Sequence, residues 1–215
     1  MTTIPENPGW RTQLAVHRAV RRDADRLAAA LAEGRETYPA AISAYWSETA
    51  FQLRHHHEFE HTVMWPLMEM RLGVRVESFL ARNGREHLGI TAAMRTFATA
   101  VASMTTDSSS ARVVLAQMQE AIETHLAHEE VDVLPLIPEA FASDDLAFFQ
   151  EESAWTNPFQ AFLPWLLDGA PEVDFAFFAA PLTAPVRAQL ESHWMPQRRM
   201  TVEALRLEMS ATSAR

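Results

Sequence analysis

Residues 56–67 read HHEFEHTVMWPL, and residues 125–136 read HLAHEEVDVLPL. In both segments a glutamate follows a histidine by four residues, and a Pro-Leu pair stands six and seven residues after that glutamate. The pairs are His56 with Glu60 and His125 with Glu129. Because helical residues four apart lie on one face with Cβ atoms about 5–6 Å apart, both members of a pair can reach one metal ion.

An isolated histidine stands upstream of each copy, within a helical pattern. His17 precedes the first pair by 39 residues, and His87 precedes the second by 38. Either histidine alone is better explained as a hydrogen-bonded core residue, but the joint pattern indicates two helical hairpins related by duplication. Each hairpin would offer one histidine from its first helix and a His-x3-Glu pair from its second.

The six residues together predict a dinuclear metal centre in the middle of a bundle. Four imidazoles and two carboxylates exceed the ligand count of a tetrahedral zinc site. Imidazole and carboxylate suit iron and manganese, and a carboxylate has two oxygens, so Glu60 and Glu129 can each bridge two ions. Pro66 and Pro135 are each expected to end a helix below this centre, because proline cannot continue the hydrogen-bond ladder without penalty.

Hydrophobic periodicity predicts an all-α protein. Helices are expected over about 12–31, 39–68, from 75 or 86 to 104, and 111–134, which form an up-down four-helix bundle in residues 1–140. Residues 141–215 form a C-terminal extension of shorter helices packed on the bundle. Its aromatic residues stand at irregular spacing between prolines, which is typical of side chains buried against the nearest apolar surface; alternatively they form a pocket or tunnel leading to the metals. These aromatic residues are Phe148, Phe149, Trp155, Phe159, Phe162, Trp165, Phe175, Phe177 and Phe178.

Composition excludes several classes of site and partner. The chain has 215 residues, no cysteine and a net charge of −10. The absence of cysteine excludes disulfides, thiolate metal sites and iron–sulfur clusters. The acidic balance argues against nucleic acid or an anionic membrane as partner. Without a targeting or membrane-spanning pattern, the chain is predicted to be soluble and cytoplasmic.

Over residues 12–138 the sequence resembles the hemerythrin-like, or HHE, cation-binding family, whose ligand pattern is H, HxxxE, H, HxxxE on a four-helix bundle. The resemblance implies two iron ions, with manganese or zinc less favoured, bridged through carboxylates. It implies ligands at His17, His56, Glu60, His87, His125 and Glu129. The segment HHEFEHTVMWP also resembles the HHxxED…WP motif of bacterial members, with His61 where an acidic residue is usual.

The sequence departs from the family's oxygen carriers on the third helix. Carriers have a second histidine four residues from the first, where this chain has Asn83 and Thr91 around His87. One iron is therefore expected to be less saturated, which argues against simple reversible O2 transport. His57 occupies a place where some relatives have an additional ligand, and it is the candidate for a seventh ligand.

The remaining histidines and acidic residues are assigned to other roles. His193 is predicted to be structural. A ligand imidazole needs a partner for its second nitrogen, and Glu58 or Asp132 is proposed for that purpose. His55, His61 and His128 are predicted to face solvent or to surround the ligands. Glu58 and Glu130 are predicted to be solvated carboxylates rather than ligands.

Three functions remain open at this point. The first is a binding protein that senses, stores or detoxifies O2, NO or iron. The second is a di-iron oxidase, oxygenase or peroxide-consuming enzyme, with a small organic substrate held under the extension. The third is a bundle without metal that acts on another protein through its aromatic surface. The first is favoured, because no residue outside the ligand set has the character of a substrate-binding acid, base or cation.

Overall fold

The computed structural model describes residues 7–32, 38–105, 107–141 and 159–210. These residues are almost entirely helical and include no strand, which confirms the all-α prediction. No helix in these ranges is long and apolar enough to cross a membrane. Of the aromatic residues in the extension, Phe148, Phe149 and Trp155 lie outside the described residues.

Four long helices form the bundle and follow the predicted order. The first begins where Asn7 caps it, accepting a hydrogen bond from the Trp10 amide at 3.1 Å, with Pro8 at the first helical position. Both features are favourable helix starts, since they satisfy or avoid free amide groups. The long helices are α1 (Pro8–Ala30), α2 (Pro39–Phe59), α4 (Val74–Ala102) and α5 (Ser109–His128).

A π-helical turn follows α2 and another follows α5, and each begins at the glutamate of a His-x3-Glu pair. The first covers Glu60–Met64 and leads into α3 (Trp65–Leu72). The second covers Glu129–Val133 and leads through a 3₁₀ turn, Leu134–Leu136, into α6 (Ile137–Ala140). Such single-turn widenings are rare and often occur at functional sites.

The prediction that each proline ends its helix is wrong. Pro66 lies inside helical backbone, and α3 continues to Leu72 before Gly73 ends it at φ 57°. Pro135 lies in the 3₁₀ turn before α6. The physical reason is that the preceding π-helical turn changes the hydrogen-bond register, so a residue without an amide hydrogen is accommodated there.

Two apolar cores lie on either side of the six proposed ligands. These six residues are called the His/Glu cluster: His17, His56, Glu60, His87, His125 and Glu129. The larger contains Leu27, Leu53, Phe97 and Leu126, and the smaller contains Met68, Leu80, Leu134 and Ile137. All eight are at most 3% exposed. The polar cluster is therefore sealed within the bundle by tightly packed layers, which excludes bulk water and strengthens electrostatic interactions.

The described residues of the C-terminal extension include four helices. They are α7 (Phe159–Leu167), α8 (Glu172–Ala179), α9 (Ala184–Gln189) and α10 (Met195–Ser210), and a π-helical turn, Leu190–Trp194, joins the last two. Trp165 and Leu166 of α7, with Val202 and Leu205 of α10, belong to the larger core. The described part of the extension thus shares its core with the bundle.

A buried ionic network joins the extension to α1 and α2. Asp23 in α1 is completely buried and accepts hydrogen bonds from Trp165 Nε1 at 2.8 Å and from Arg198 at 3.1 Å. Tyr45 Oη and Thr49 Oγ1 of α2 also donate to its carboxylate, at 2.7 and 3.0 Å. With so many donors around one carboxylate, the charge is well satisfied despite its burial.

Candidate metal centre

Glu60 connects the two hairpins at the centre of the bundle. Its side chain is fully buried; Oε1 lies 3.4 Å from Nε2 of His56 on its own helix, and Oε2 lies 3.4 Å from Nε2 of His87 on α4. The helical spacing of four residues explains the first contact. The second contact depends on the packing of α2 against α4 and therefore joins the first hairpin to the second.

Glu129 makes the equivalent connection in the other direction. Its Oε2 lies 3.6 Å from Nε2 of His125 on its own helix and 3.3 Å from Nε2 of His17 on α1. Each glutamate therefore faces the histidine of its own helix and the isolated histidine of the other hairpin. The duplication seen in the sequence therefore gives two equivalent contacts, each between the glutamate of one hairpin and the isolated histidine of the other.

The ligand atoms fall into two overlapping groups of four. One group is His17, His56, Glu60 and Glu129, and the other is Glu60, His87, His125 and Glu129. Within each group one nitrogen or oxygen atom per residue lies within 4.8 Å of the others. Because both groups share both glutamates, this arrangement can hold two ions bridged by carboxylates. The structure thus brings together all six residues proposed as ligands.

His57, the proposed seventh ligand, lies inside the same cluster. It is 6% exposed, and its ring stacks on that of His87 with centroids 3.6 Å apart. His57, His87 and His125 form a further group with nitrogen atoms within 4.8 Å of one another. His57 is thus placed beside the second group, which gives the two candidate metal positions unequal numbers of nearby imidazoles.

The outer nitrogens of three cluster histidines have defined partners. Nδ1 of His17 donates to Glu130 at 3.0 Å, and Nδ1 of His125 donates to Glu86 at 3.2 Å. A carboxylate partner at Nδ1 fixes the tautomer that leaves the Nε2 lone pair directed at a metal. Nδ1 of His87 instead contacts Nε2 of His61 at 3.0 Å.

The proposal of Glu58 or Asp132 as these partners is wrong. Asp132 accepts a hydrogen bond from Arg82 at 2.5 Å, and Glu58 lies beside His55 at 3.8 Å. Glu130 and Glu86 were missed because each follows or precedes a ligand directly in sequence. A residue at that offset points about 100° away around the helix, and only the packing of a neighbouring helix brings it to an imidazole.

The remaining histidines lie at the edge of the cluster or outside it. His61 is exposed yet contacts His87, so it matches the prediction of a residue near solvent and around the ligands. His128 donates to Glu86 at 2.7 Å. His193 lies in the extension, exposed, with its Nδ1 2.7 Å from the Ser192 hydroxyl.

Burial keeps most of the cluster histidines neutral. It lowers the pKa of His56 and His57 well below the usual value, and neighbouring imidazoles act in the same direction. It lowers the pKa of His87 to about 2, with contributions from His125 and His61. Neutral imidazole is the form that binds a metal ion, so the cluster is electrostatically prepared for a cation.

Glu60 responds to burial in the opposite direction. Burial raises the pKa of Glu60 well above its usual value, and the nearby Glu129 raises it further. Burial lowers the pKa of His17, but the close contacts with the carboxylates of Glu129 and Glu130 and their charges outweigh this and leave it raised. Two buried carboxylates this close to each other require positive charge nearby, which a metal cation would supply.

The donor atoms of the cluster fit a metal better than they fit one another. Both carboxylate oxygens of Glu60 and of Glu129 are buried without a hydrogen-bond partner among the described residues, as is Nε2 of His17 and of His56. Leaving a buried polar atom unpaired costs about 1–3 kcal/mol, and more for a charged group. These six atoms belong to residues of the two overlapping groups, which indicates a site that can hold metal ions.

Comparison with known proteins gives one match. The family model described as "Hemerythrin HHE cation binding domain" matches residues 9–137. This span exceeds half of the chain and contains every residue of the cluster. Neither the curated proteins nor the solved structures that were searched include a match.

Proposed function

Because the chain belongs to the hemerythrin HHE cation-binding family, we propose that it is a non-haem di-iron protein that binds O2, NO or iron for sensing, storage or detoxification. The observation that carries this proposal is the pair of overlapping ligand groups that share Glu60 and Glu129. Shared carboxylates and terminal imidazoles are the ligand arrangement of carboxylate-bridged di-iron sites in helical bundles.

The choice of iron rests on the donor atoms. The chain has no cysteine, so only nitrogen and oxygen ligands are available, and these suit iron or manganese. Six or seven protein ligands exceed what a single tetrahedral zinc uses. When bound, a pair of iron ions would supply redox chemistry and open coordination positions for a small ligand.

The protein's own residues would orient the ligands and exclude water. Glu130 and Glu86 hold the imidazoles of His17 and His125 with Nε2 directed inward. Arg21 donates to the same oxygen of Glu130 at 2.6 Å, which keeps that carboxylate ionised; although burial raises the pKa of Glu130, its hydrogen bonds with His17 and Arg21 lower it to about 2. The apolar cores on either side limit access to small ligands.

Proposed partners follow from the same features. O2, NO or peroxide is small enough for a site enclosed by packed side chains. The net charge of −10 disfavours nucleic acid and anionic membranes, because both would repel an acidic surface.

A second candidate function is a di-iron oxidase, oxygenase or peroxide-consuming enzyme. The observation that favours it is Asn83, which is fully buried one turn from His87 where a further imidazole would fill the coordination sphere. This candidate requires a pocket for a small organic molecule beneath the extension. It predicts turnover with O2, whereas a sensor or store forms a stable, reversible adduct.

The first test is metal content per chain. Protein purified aerobically, without added metal or a histidine tag, should contain about two irons per chain. His193→Ala is the matched control, since this histidine lies outside the cluster, and it should retain the same amount. Protein that stays free of iron after anaerobic reconstitution contradicts the proposal and directs attention to the aromatic surface.

Exposure of the reduced protein to O2 separates the two functions. A persistent absorption spectrum that reverses when O2 is removed supports binding. Consumption of O2 in excess of one molecule per centre in the presence of reductant supports the oxidase.

A further inference from the structure

Four buried side chains form a layer directly beneath the His/Glu cluster, which we call the amide layer. Each stands four residues, about one helical turn, from a cluster residue on its own chain segment, on the side of the smaller apolar core. All four are at most 6% exposed. The layer consists of Gln13, Met64, Asn83 and Val133.

The amide layer repeats the pseudo-twofold arrangement of the cluster. Gln13 precedes His17 on α1 as Asn83 precedes His87 on α4. Helical side chains lean toward the N-terminal end of their helix. The rings of the two histidines therefore lean over the turns that carry the two amides, and one amide lies beneath each half of the cluster.

The amide of Asn83 has no internal use. The residue is 0% exposed, and neither Oδ1 nor Nδ2 has a hydrogen-bond partner among the described residues. Gln13 donates from Nε2 to Met64 Sδ at 3.3 Å, which is a weak hydrogen bond. Its Oε1 has no partner among the described residues. Buried polar groups without partners are rare in native proteins, and leucine would pack here without that cost.

Trp65 adds a third unpaired polar group beside this layer. Its ring stacks on that of His87, with centroids 4.9 Å apart and an interplanar angle of 18°. Its Nε1 is buried and has no partner among the described residues. The same indole lies against α4 next to Asn83, since an added Cβ on Gly84 would lie 4.0 Å from the ring.

We propose that the amides of Asn83 and Gln13 form a hydrogen-bonding subsite for a small ligand bound at the metal centre. The ligand would have two or three heavy atoms, and the inference rests on the proposed function. Nδ2 of Asn83 supplies a donor and Oε1 of Gln13 an acceptor. An accepting atom of the ligand suits Nδ2 of Asn83, and a proton carried by the ligand suits Oε1 of Gln13. The subsite gives this centre a polar side facing the smaller core.

The test uses azide as the probe and iron-loaded protein. Asn83→Leu keeps the number of side-chain heavy atoms but removes both polar atoms. Gln13→Leu removes both polar atoms on the other helix and shortens the side chain by one heavy atom. Thr91→Val is the matched control, because Thr91 lies one turn from His87 on the opposite side and also loses only polarity. Azide affinity is measured by spectrophotometric titration after iron per chain has been determined.

We expect Asn83→Leu to keep the iron content of the wild type and to bind azide about tenfold more weakly, as for loss of a charge-assisted hydrogen bond. Gln13→Leu should leave azide affinity unchanged or raise it, because Oε1 of Gln13 only accepts and azide has no proton to donate. Thr91→Val should leave the affinity unchanged. The metal-free Asn83→Leu protein should melt at or above the wild-type temperature, because an amide without internal partners does not stabilise the fold.

Several results overturn the proposal. Unchanged azide affinity in Asn83→Leu, weaker azide binding in Gln13→Leu, absence of azide binding to iron-loaded wild type, or loss of iron in Asn83→Leu overturns the subsite alone. Iron-free wild type after reconstitution overturns the proposed function, and the subsite with it. A lower melting temperature of metal-free Asn83→Leu assigns Asn83 a structural role and also overturns the subsite.

Discussion

Oε2 of Glu60 lies 3.4 Å from Nε2 of His87, although the two residues belong to different hairpins. Glu129 and His17 repeat this contact at 3.3 Å. Because each carboxylate joins both halves, removal of one should disturb both candidate metal positions rather than one.

Glu60→Ala or Glu129→Ala is therefore expected to lose most of the bound metal. The melting temperature of the as-purified variant should fall toward that of the metal-free wild type, because metal binding and folding are coupled. Iron analysis and thermal unfolding check both statements. Glu58→Ala is the control, since its side chain is 64% exposed. Full retention of metal in either variant would show that the bridging role is misassigned.

Replacement of the outer carboxylates should weaken metal binding without abolishing it. Glu86→Gln removes the charge that His125 and His128 contact at 3.2 and 2.7 Å. Loss of such an outer partner typically costs about 10–100-fold in metal affinity, which competition with a chelator would measure. Asp132→Asn is the control because it contacts Arg82 rather than a ligand. Equal affinities for the two variants would contradict the role given to Glu86.

The ionic network beneath the extension should contribute strongly to stability. Arg198 is 3% exposed and contacts Asp23, which is 0% exposed. Arg198→Met leaves the carboxylate of Asp23 buried without the positive charge and hydrogen bonds of Arg198. The variant is expected to lower the free energy of unfolding by about 3–5 kcal/mol. Denaturant unfolding measures this loss. Arg199→Met, at an exposed neighbouring position, should change stability little; a similar small effect at Arg198 would refute the prediction.

Asp168 should make stability depend on pH in the acidic range. Burial raises its pKa, but the hydrogen bond from Arg26 and the charge of Arg22, among other nearby positive charges, lower it overall below the usual 3.8. A lowered folded pKa means that the stabilisation is present above the unfolded value and is lost as the pH falls through the folded value.

The difference in unfolding free energy between wild type and Asp168→Asn measures this contribution. It should be constant at neutral pH and should shrink as the pH falls below 3.8, the ordinary pKa of the group. Asp25→Asn, at an exposed position on α1, should show no comparable change. A difference that grows on acidification would contradict the sign of the pKa shift.

Much of the fold could be predicted from the sequence because its signals are local. Helical periodicity and the recurrence of His-x3-Glu depend on residues within one helix, and they located the cluster. The pairing of Glu60 with His87 could not be predicted this way, because it depends on which helices are neighbours. The same holds for Glu86 beside His125, and for Arg198 beside Asp23, which are 175 residues apart.

The π-helical turns at Glu60 and Glu129 could not be predicted from the sequence either. Pro66 and Pro135 suggested helix ends, since proline removes an amide hydrogen. A widened turn before each proline accommodates that loss, and the helical path continues. Three-dimensional packing around the carboxylates, rather than local propensity, decides between the two outcomes.

The contact of each glutamate with a histidine of the other hairpin has a consequence for the symmetry of the chain. One hairpin with a single histidine and one His-x3-Glu pair contains half of the cluster, and its glutamate faces a histidine that only a second hairpin supplies. Two identical hairpins related by twofold symmetry would complete both halves at once. The present bundle has the arrangement of such a homodimer within one polypeptide, and its two halves differ at matched positions: Gln13 corresponds to Asn83, and Met64 corresponds to Val133.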